Sequence, residues 1–163
     1  MSKLYCDKSE LSLGQLYLLD ICDKRKLTEF WNEKLEKKFS IAYLHRVATG
    51  KHKTPSLNLI YSMLTYVAPT DWFIQETEGT KGTPLPKDRY VTDITKSLNY
   101  QKLKQLHDDR LLNQFCIENF GEKSQLYLHN FTNLLSGRNI ISPAYIKEYK
   151  DILPVIDWFI AEK

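Results

Sequence analysis

Residues 43–60 read YLHRVATGKHKTPSLNLI. Two stretches of helical spacing flank a short basic insert, Gly50-Lys51-His52-Lys53-Thr54-Pro55. Glycine tolerates left-handed backbone and proline lacks an amide donor, so the insert stops one helix and restarts another. The pattern predicts a helix capped by Ser40, with Leu44 and Val47 facing inward and Gly50 as a left-handed C-cap residue. Pro55-Ser56 opens the following helix, because proline suits a first helical turn.

Working outward, the same order of events occurs twice. Asp-Trp-Phe-Ile stands at 71–74 and again at 157–160, although the chain has only three tryptophans. Each copy is preceded by an apolar segment, residues 57–66 and 145–152. Each segment follows a proline, Pro55 and Pro143, and before that a glycine with a base, Gly50-Lys51 and Gly137-Arg138. Tyr-Leu-His precedes both, at 43–45 and 127–129. A period on this scale marks a repeated structural unit. The chain is therefore expected to be all-α, built from a duplicated module of roughly 65 residues. The stretch 76–92, rich in Gly, Pro and Thr, reads as a linker between modules at 1–75 and 93–163.

Within the first copy, Leu13, Leu16, Tyr17, Asp20 and Ile21 trace a helix with one mostly apolar face. Thr28 is the expected N-cap of a second helix, with Glu29 and Glu33 favouring the positive end of its dipole. Thr70-Asp71 is expected to cap a last short helix carrying Trp72 and Phe73 into the core. The second copy should follow with helices at 100–109, 113–119, 124–136 and 144–152.

Composition sets the broad class. Of 163 residues, 42% are hydrophobic and 26% charged, a balance that suits a globular fold rather than disorder. No run of about 18 apolar residues is present, so no membrane span is expected, and the N-terminus does not read as a signal peptide. Cys6, Cys22 and Cys116 are odd in number and far apart, which argues against a disulfide framework and for a reducing, cytoplasmic setting. The net charge of +3 lies entirely in residues 1–75, which hold eleven bases and eight acids; residues 76–163 hold twelve of each. Charge alone selects no partner.

The run from Leu27-Thr28-Glu29-Phe30 through Ser40-Ile41-Ala42-Tyr43-Leu44-His45-Arg46 to Gly50-Lys51-His52-Lys53-Thr54-Pro55 resembles the phage-repressor-like (XRE) helix-turn-helix family. The resemblance covers about residues 12–75. It implies two tandem five-helix helix-turn-helix modules acting as a sequence-specific, double-stranded DNA-binding regulator, most often a repressor. Residues 40–49 would be the recognition helix in the major groove, with the following turn beside the sugar-phosphate backbone. Ser40, Ala42, Tyr43, Arg46 and Thr49 would then meet DNA, Arg46 being suited to the O6 and N7 of guanine. Lys51 and Lys53 would meet phosphates. Ile41 departs from the family's polar reader and would either touch a thymine methyl or be buried.

The second copy departs further. Asn113 replaces Thr28, and the distance from Ser124 to Gly137 is three residues longer than from Ser40 to Gly50. Alignment on Tyr-Leu-His makes Asn130 the counterpart of Arg46, whereas counting back from Gly137 gives Asn133. Gln125, His129, Asn130, Asn133 and Arg138 form its polar face, amides that can pair with adenine. The loop Asn139-Ile140-Ile141 is apolar where phosphate contacts would be expected.

Plainer roles stand beside these. Lysines in a turn are commonly just solvated, Arg46 could bond a neighbouring helix, and the asparagines could be exposed polar residues. Three adjacent residues, His107-Asp108-Asp109, do not share a helix face, and neither His45 nor His129 has metal-ligand spacing, so no metal or cofactor is expected. No nucleophile elbow, phosphate-binding loop or carboxylate pair suggests an enzyme. The family habit implies a homodimer on half-sites about 34 Å apart. The competing expectation is an interaction or inhibitor protein of a mobile element, keeping the fold with DNA reading lost in one or both modules and a protein partner bound through the second.

Overall fold

The computed structural model describes residues 3–162. It is all-helical, with isolated bridges and no β-strand among the described residues. The chain divides into two compact units, Met1–Lys87 and Asp88–Lys163. The division falls inside the stretch read as a linker, and parts of that stretch belong to the units. The Gly82 amide donates to the buried Asp71 carboxylate at 3.0 Å, and Tyr90 is buried and bridges to Ile160.

The first unit contains α1 (Leu13–Asp23), α2 (Leu27–Glu33), α3 (Ile41–Ala48) and α4 (Leu57–Ser62), closed by a 3-10 turn, Pro69–Trp72. Ser12 caps α1 in a reciprocal box: its hydroxyl accepts from the Gln15 amide, and the Gln15 side chain accepts from the Ser12 amide. Ser40 and Ser56 cap α3 and α4 through bonds from Tyr43 and Leu59. The second unit contains α5 (Leu98–Asp108), α6 (Leu112–Phe120), α7 (Ser124–Leu135) and α8 (Pro143–Glu148), closed by Val155–Trp158.

The two units share their closing contacts. The Leu13 amide donates to the Ile74 carbonyl and the Leu98 amide to the Ile160 carbonyl, each at 2.9 Å. Both bonds bring the residue after Asp-Trp-Phe back to the first residue of the unit's opening helix. Trp72, Phe73, Trp158 and Phe159 are all buried, at most 2% exposed. Arg25 and Arg110 hold the same left-handed conformation after α1 and α5, with φ of 58° and 61°.

Several local expectations are corrected. The helix α1 exists, but its inward face is Gly14, Gln15, Leu18 and Leu19, whereas Leu13, Leu16, Tyr17 and Ile21 are half-buried and Asp20 is exposed. A glycine and a glutamine look like surface residues in the sequence. Gly14 instead lets the Trp72 ring lie where a β-carbon would be, 2.4 Å from its nearest atom. Thr28 is not an N-cap: the left-handed Arg25 turns the chain early, α2 starts at the buried Leu27, and its cap position is Lys26 with no side-chain bond. Pro55 lies before the Ser56 cap rather than inside the helix, while Pro143 does occupy a first helical position. The last short helix of the first unit is capped at Ala68, with Thr70 and Asp71 inside it.

Gly50 ends α3 with φ +84°, as its position before the basic insert requires. Gly137 after α7 is equivalent, at φ +78°. A β-carbon on Gly50 would meet Cys6 Sγ at 2.6 Å and Leu11 Cδ2 at 2.9 Å, whereas Gly137 faces open space. Gly137→Ala should therefore lower stability by about 1 kcal/mol, the left-handed strain alone, and Gly50→Ala by clearly more. Urea denaturation of the two variants checks the order.

Candidate nucleic-acid interface

Helix α3 buries Leu44, Val47 and Ala48 and leaves Ser40, Ala42 and His45 exposed, with Ile41, Tyr43 and Arg46 half-buried. Positions 42 and 45 are three apart and share one stripe. The next residue on that stripe, Thr49, is fully buried, and its hydroxyl donates to the His45 carbonyl at 2.8 Å. It has no surface to offer a base, a consequence of the chain turning inward before Gly50.

The basic turn is fixed at three levels. The Gln15 side-chain amide donates to the carbonyls of Val47, at 3.0 Å, and His52, at 3.1 Å. The His52 amide donates back to the Arg46 carbonyl at 3.2 Å. On the outside, Arg46 Nε donates to His52 Nε2 at 3.2 Å, which needs the imidazole neutral with its proton on Nδ1. The Tyr43 ring lies 5.5 Å from the His52 ring, and its hydroxyl accepts from the Ser56 amide at 2.8 Å. Tyr43 thus props the turn, and its ring and oxygen are already engaged.

Lys51 and Lys53 flank His52 and are exposed; the Lys51 ammonium lies 5.4 Å from the Tyr5 ring centroid. Neither lysine nor Arg46 forms an ion pair among the described residues. Residues 37–70 contain Lys37, Lys38, Arg46, Lys51 and Lys53 and no Asp or Glu at all. Ser40, Ala42, Lys51 and Lys53 are exposed along α3 and the turn after it, Arg46 is half-buried and tied to His52, and His45 is exposed beside them. Those two histidines were not singled out for this face, although His45 follows Ala42 at helical spacing and His52 sits between two lysines.

In the second unit, backbone acceptors settle the register that the sequence leaves open. The Gly50 amide donates to Val47 and the Gly137 amide to Leu134; the Arg46 carbonyl accepts from His52, and the Asn133 carbonyl from Arg138. Burial agrees, Leu44 and Val47 matching Phe131 and Leu134. Asn133 is the counterpart of Arg46, and the two Tyr-Leu-His triplets stand about one helical turn out of register. Tyr127 is consequently buried, its hydroxyl bonded to Glu148, which also pairs with Lys123.

The polar face of α7 is largely self-engaged. Gln125 reaches Asn113, Asn130 reaches the Tyr149 hydroxyl, and Asn133 bonds His129 at 3.1 Å. Arg138 is exposed. Ile140 is 79% exposed, and behind it Phe131, Leu134, Ile141, Tyr145 and Tyr149 line a cavity of about 170 Å³. Among the described residues no cluster of metal-capable side chains occurs, and no helix is long and apolar enough to cross a membrane. Compared with known protein families, curated proteins and solved structures, the chain matches none.

Two predictions arise here. Gln15 is 3% exposed, and replacing it with leucine removes the bond to the Ser12 amide and the donor to the half-buried His52 carbonyl, so Gln15→Leu should cost about 1–3 kcal/mol and increase amide exchange at His52. Burial pushes the Tyr149 phenol up to about 12 and raises Tyr127 further in the same direction. A phenol whose folded pKa exceeds its unfolded value of about 10 lends stability that is complete below pH 10 and lost as pH climbs toward 12. Thermal melts across that window, with Tyr149→Phe as the control, should show the loss shrinking in the variant.

Proposed function

We propose that the protein is a sequence-specific, double-stranded DNA-binding regulator of the repressor-like helix-turn-helix type, built as two tandem five-helix modules. The observation that carries this reading is the run 37–70 of the first unit, which holds five bases and no acid. An exposed helical stripe, Ser40, Ala42 and His45, adjoins a rigid turn whose lysines have no carboxylate partner. A duplex offers base edges to such a stripe and phosphates to such a turn. Arg46, released from His52, has the reach and the planar donors for guanine. Thr49 is left out because it is buried, and Tyr43 acts as a prop.

The length of the α2–α3 connection departs from the family. It runs over residues 34–40, seven residues, where a helix-turn-helix commonly uses three or four. The packing of α3 chiefly on α1, with the Gln15 clamp between them, holds the helix across the longer connection.

A second reading applies to the second unit. Its turn carries Ile140 instead of lysine, its amides are already engaged, and an apolar cavity opens beside Ile140. These features favour contact with a protein, either another copy of the chain or a separate partner, over contact with DNA. Regulation would then combine reading by the first unit with assembly through the second.

Duplex binding measured over a salt series tests the proposal. The intact protein should bind with a steep negative dependence of log K on log salt, and Arg46→Ala/Lys51→Ala/Lys53→Ala should flatten it by about three. Absence of binding to any fragment of the source genome at low salt would transfer the function to the protein-interaction reading.

A further inference from the structure

The α2–α3 connection is itself built as a basic feature. After α2, residues Glu36, Lys37 and Phe39 have φ of 51°, 61° and 69°, three left-handed residues within four positions and no glycine among them. Non-glycine residues avoid this region unless the surroundings hold them there. Trp31 supplies the hold at both ends: its carbonyl accepts from the Lys37 amide at 2.8 Å, and its indole N–H donates to the Phe39 carbonyl at 3.0 Å. The Lys38 amide donates to the carbonyl of buried Leu35. The outcome is a rigid loop that exposes Lys37 and Lys38, neither in an ion pair among the described residues, directly before the Ser40 cap of α3.

Helix α3 thus has a lysine pair at each end, Lys37 and Lys38 before it and Lys51 and Lys53 after it. Its eight residues rise about 12 Å, at 1.5 Å per residue. We propose that Lys37 and Lys38 form a second phosphate-binding site, so that α3 is flanked by phosphate contacts at both of its ends. This inference rests on the DNA-binding reading and adds to it a phosphate contact ahead of α3. It also gives the strained loop a purpose: a relaxed connection would not keep two neighbouring ammonium groups extended beside the helix start.

The test uses the full chain and a mixed-sequence duplex two turns long, with affinity read over about 50 to 200 mM salt. Asparagine tolerates left-handed backbone, so Lys37→Asn/Lys38→Gln removes both charges without straining the loop. The slope of log K against log salt should fall by about two, matching the fall in Lys51→Ala/Lys53→Ala. Glu36→Lys, which adds a charge to the same loop, should raise the slope by about one. A slope unchanged in both loop variants, with the Lys51/Lys53 variant still losing two, would overturn the second site and leave the DNA-binding reading standing. A wild-type chain that binds no duplex would overturn both.

Discussion

A single buried amide organises the first unit. Gln15 accepts the amide of Ser12 with its side-chain oxygen and donates both amide hydrogens, to Val47 and to His52. It caps the start of α1, adds a donor to the Val47 carbonyl at the end of α3, and pins the middle of the basic turn. A buried amide with every bond made is specific in a way that apolar packing is not, since displacement of the turn would strand several polar groups at once. The orientation of Lys51 and Lys53 relative to α3 therefore depends on a residue that touches neither. The outer ring of contacts, Arg46 to His52 and Tyr43 to Ser56, repeats the fixation where solvent reaches.

The second unit shows what the same frame becomes without that clamp. Tyr100 stands in the place of Gln15 after its own serine cap, and its hydroxyl makes one long bond, 3.4 Å, to the Leu135 carbonyl. The turn that follows α7 keeps a base, Arg138, in the place of Lys51 and has Ile140 in the place of Lys53. What is common to the units is the frame: the capped opening helix, the left-handed arginine, the buried Trp-Phe pair and the return bond to the opening helix. Even inside the frame the seams differ. Gly14 admits the face of Trp72, whereas Asn99 at the same place bonds the Pro154 carbonyl. Under the proposed function, the basic turn of the first unit and the exposed Ile140 beside the second unit's cavity would divide the labour between duplex and protein.

Much of the frame is legible in sequence because serine caps, left-handed glycines and paired aromatics act locally. Ser40, Gly50 and the Asp-Trp-Phe-Ile repeats mark boundaries that the structure reproduces. The missed features depend on tertiary partners. Gly14 and Gln15 become core residues only because Trp72 and two distant carbonyls lie against them. Tyr-Leu-His suggests a register that burial overrules, since α7 has gained a turn at its start and Tyr127 has rotated inward. At the candidate site, Ala42, Lys51 and Lys53 are exposed and Arg46 half-buried, while Thr49 is lost to the core and His52 links helix and turn.

The proposed function requires that the outer stripe of α3 and the turn after it form one surface that a duplex covers. Chemical-shift mapping of the isotope-labelled chain during titration with duplex DNA measures this most directly. The largest perturbations should fall at Ala42, His45 and Arg46 and on the amides of Lys51, His52 and Lys53, with Leu44 and Val47 little affected. Perturbations centred instead on Asn139, Ile140 and Tyr145, with residues 42–53 silent, would contradict it.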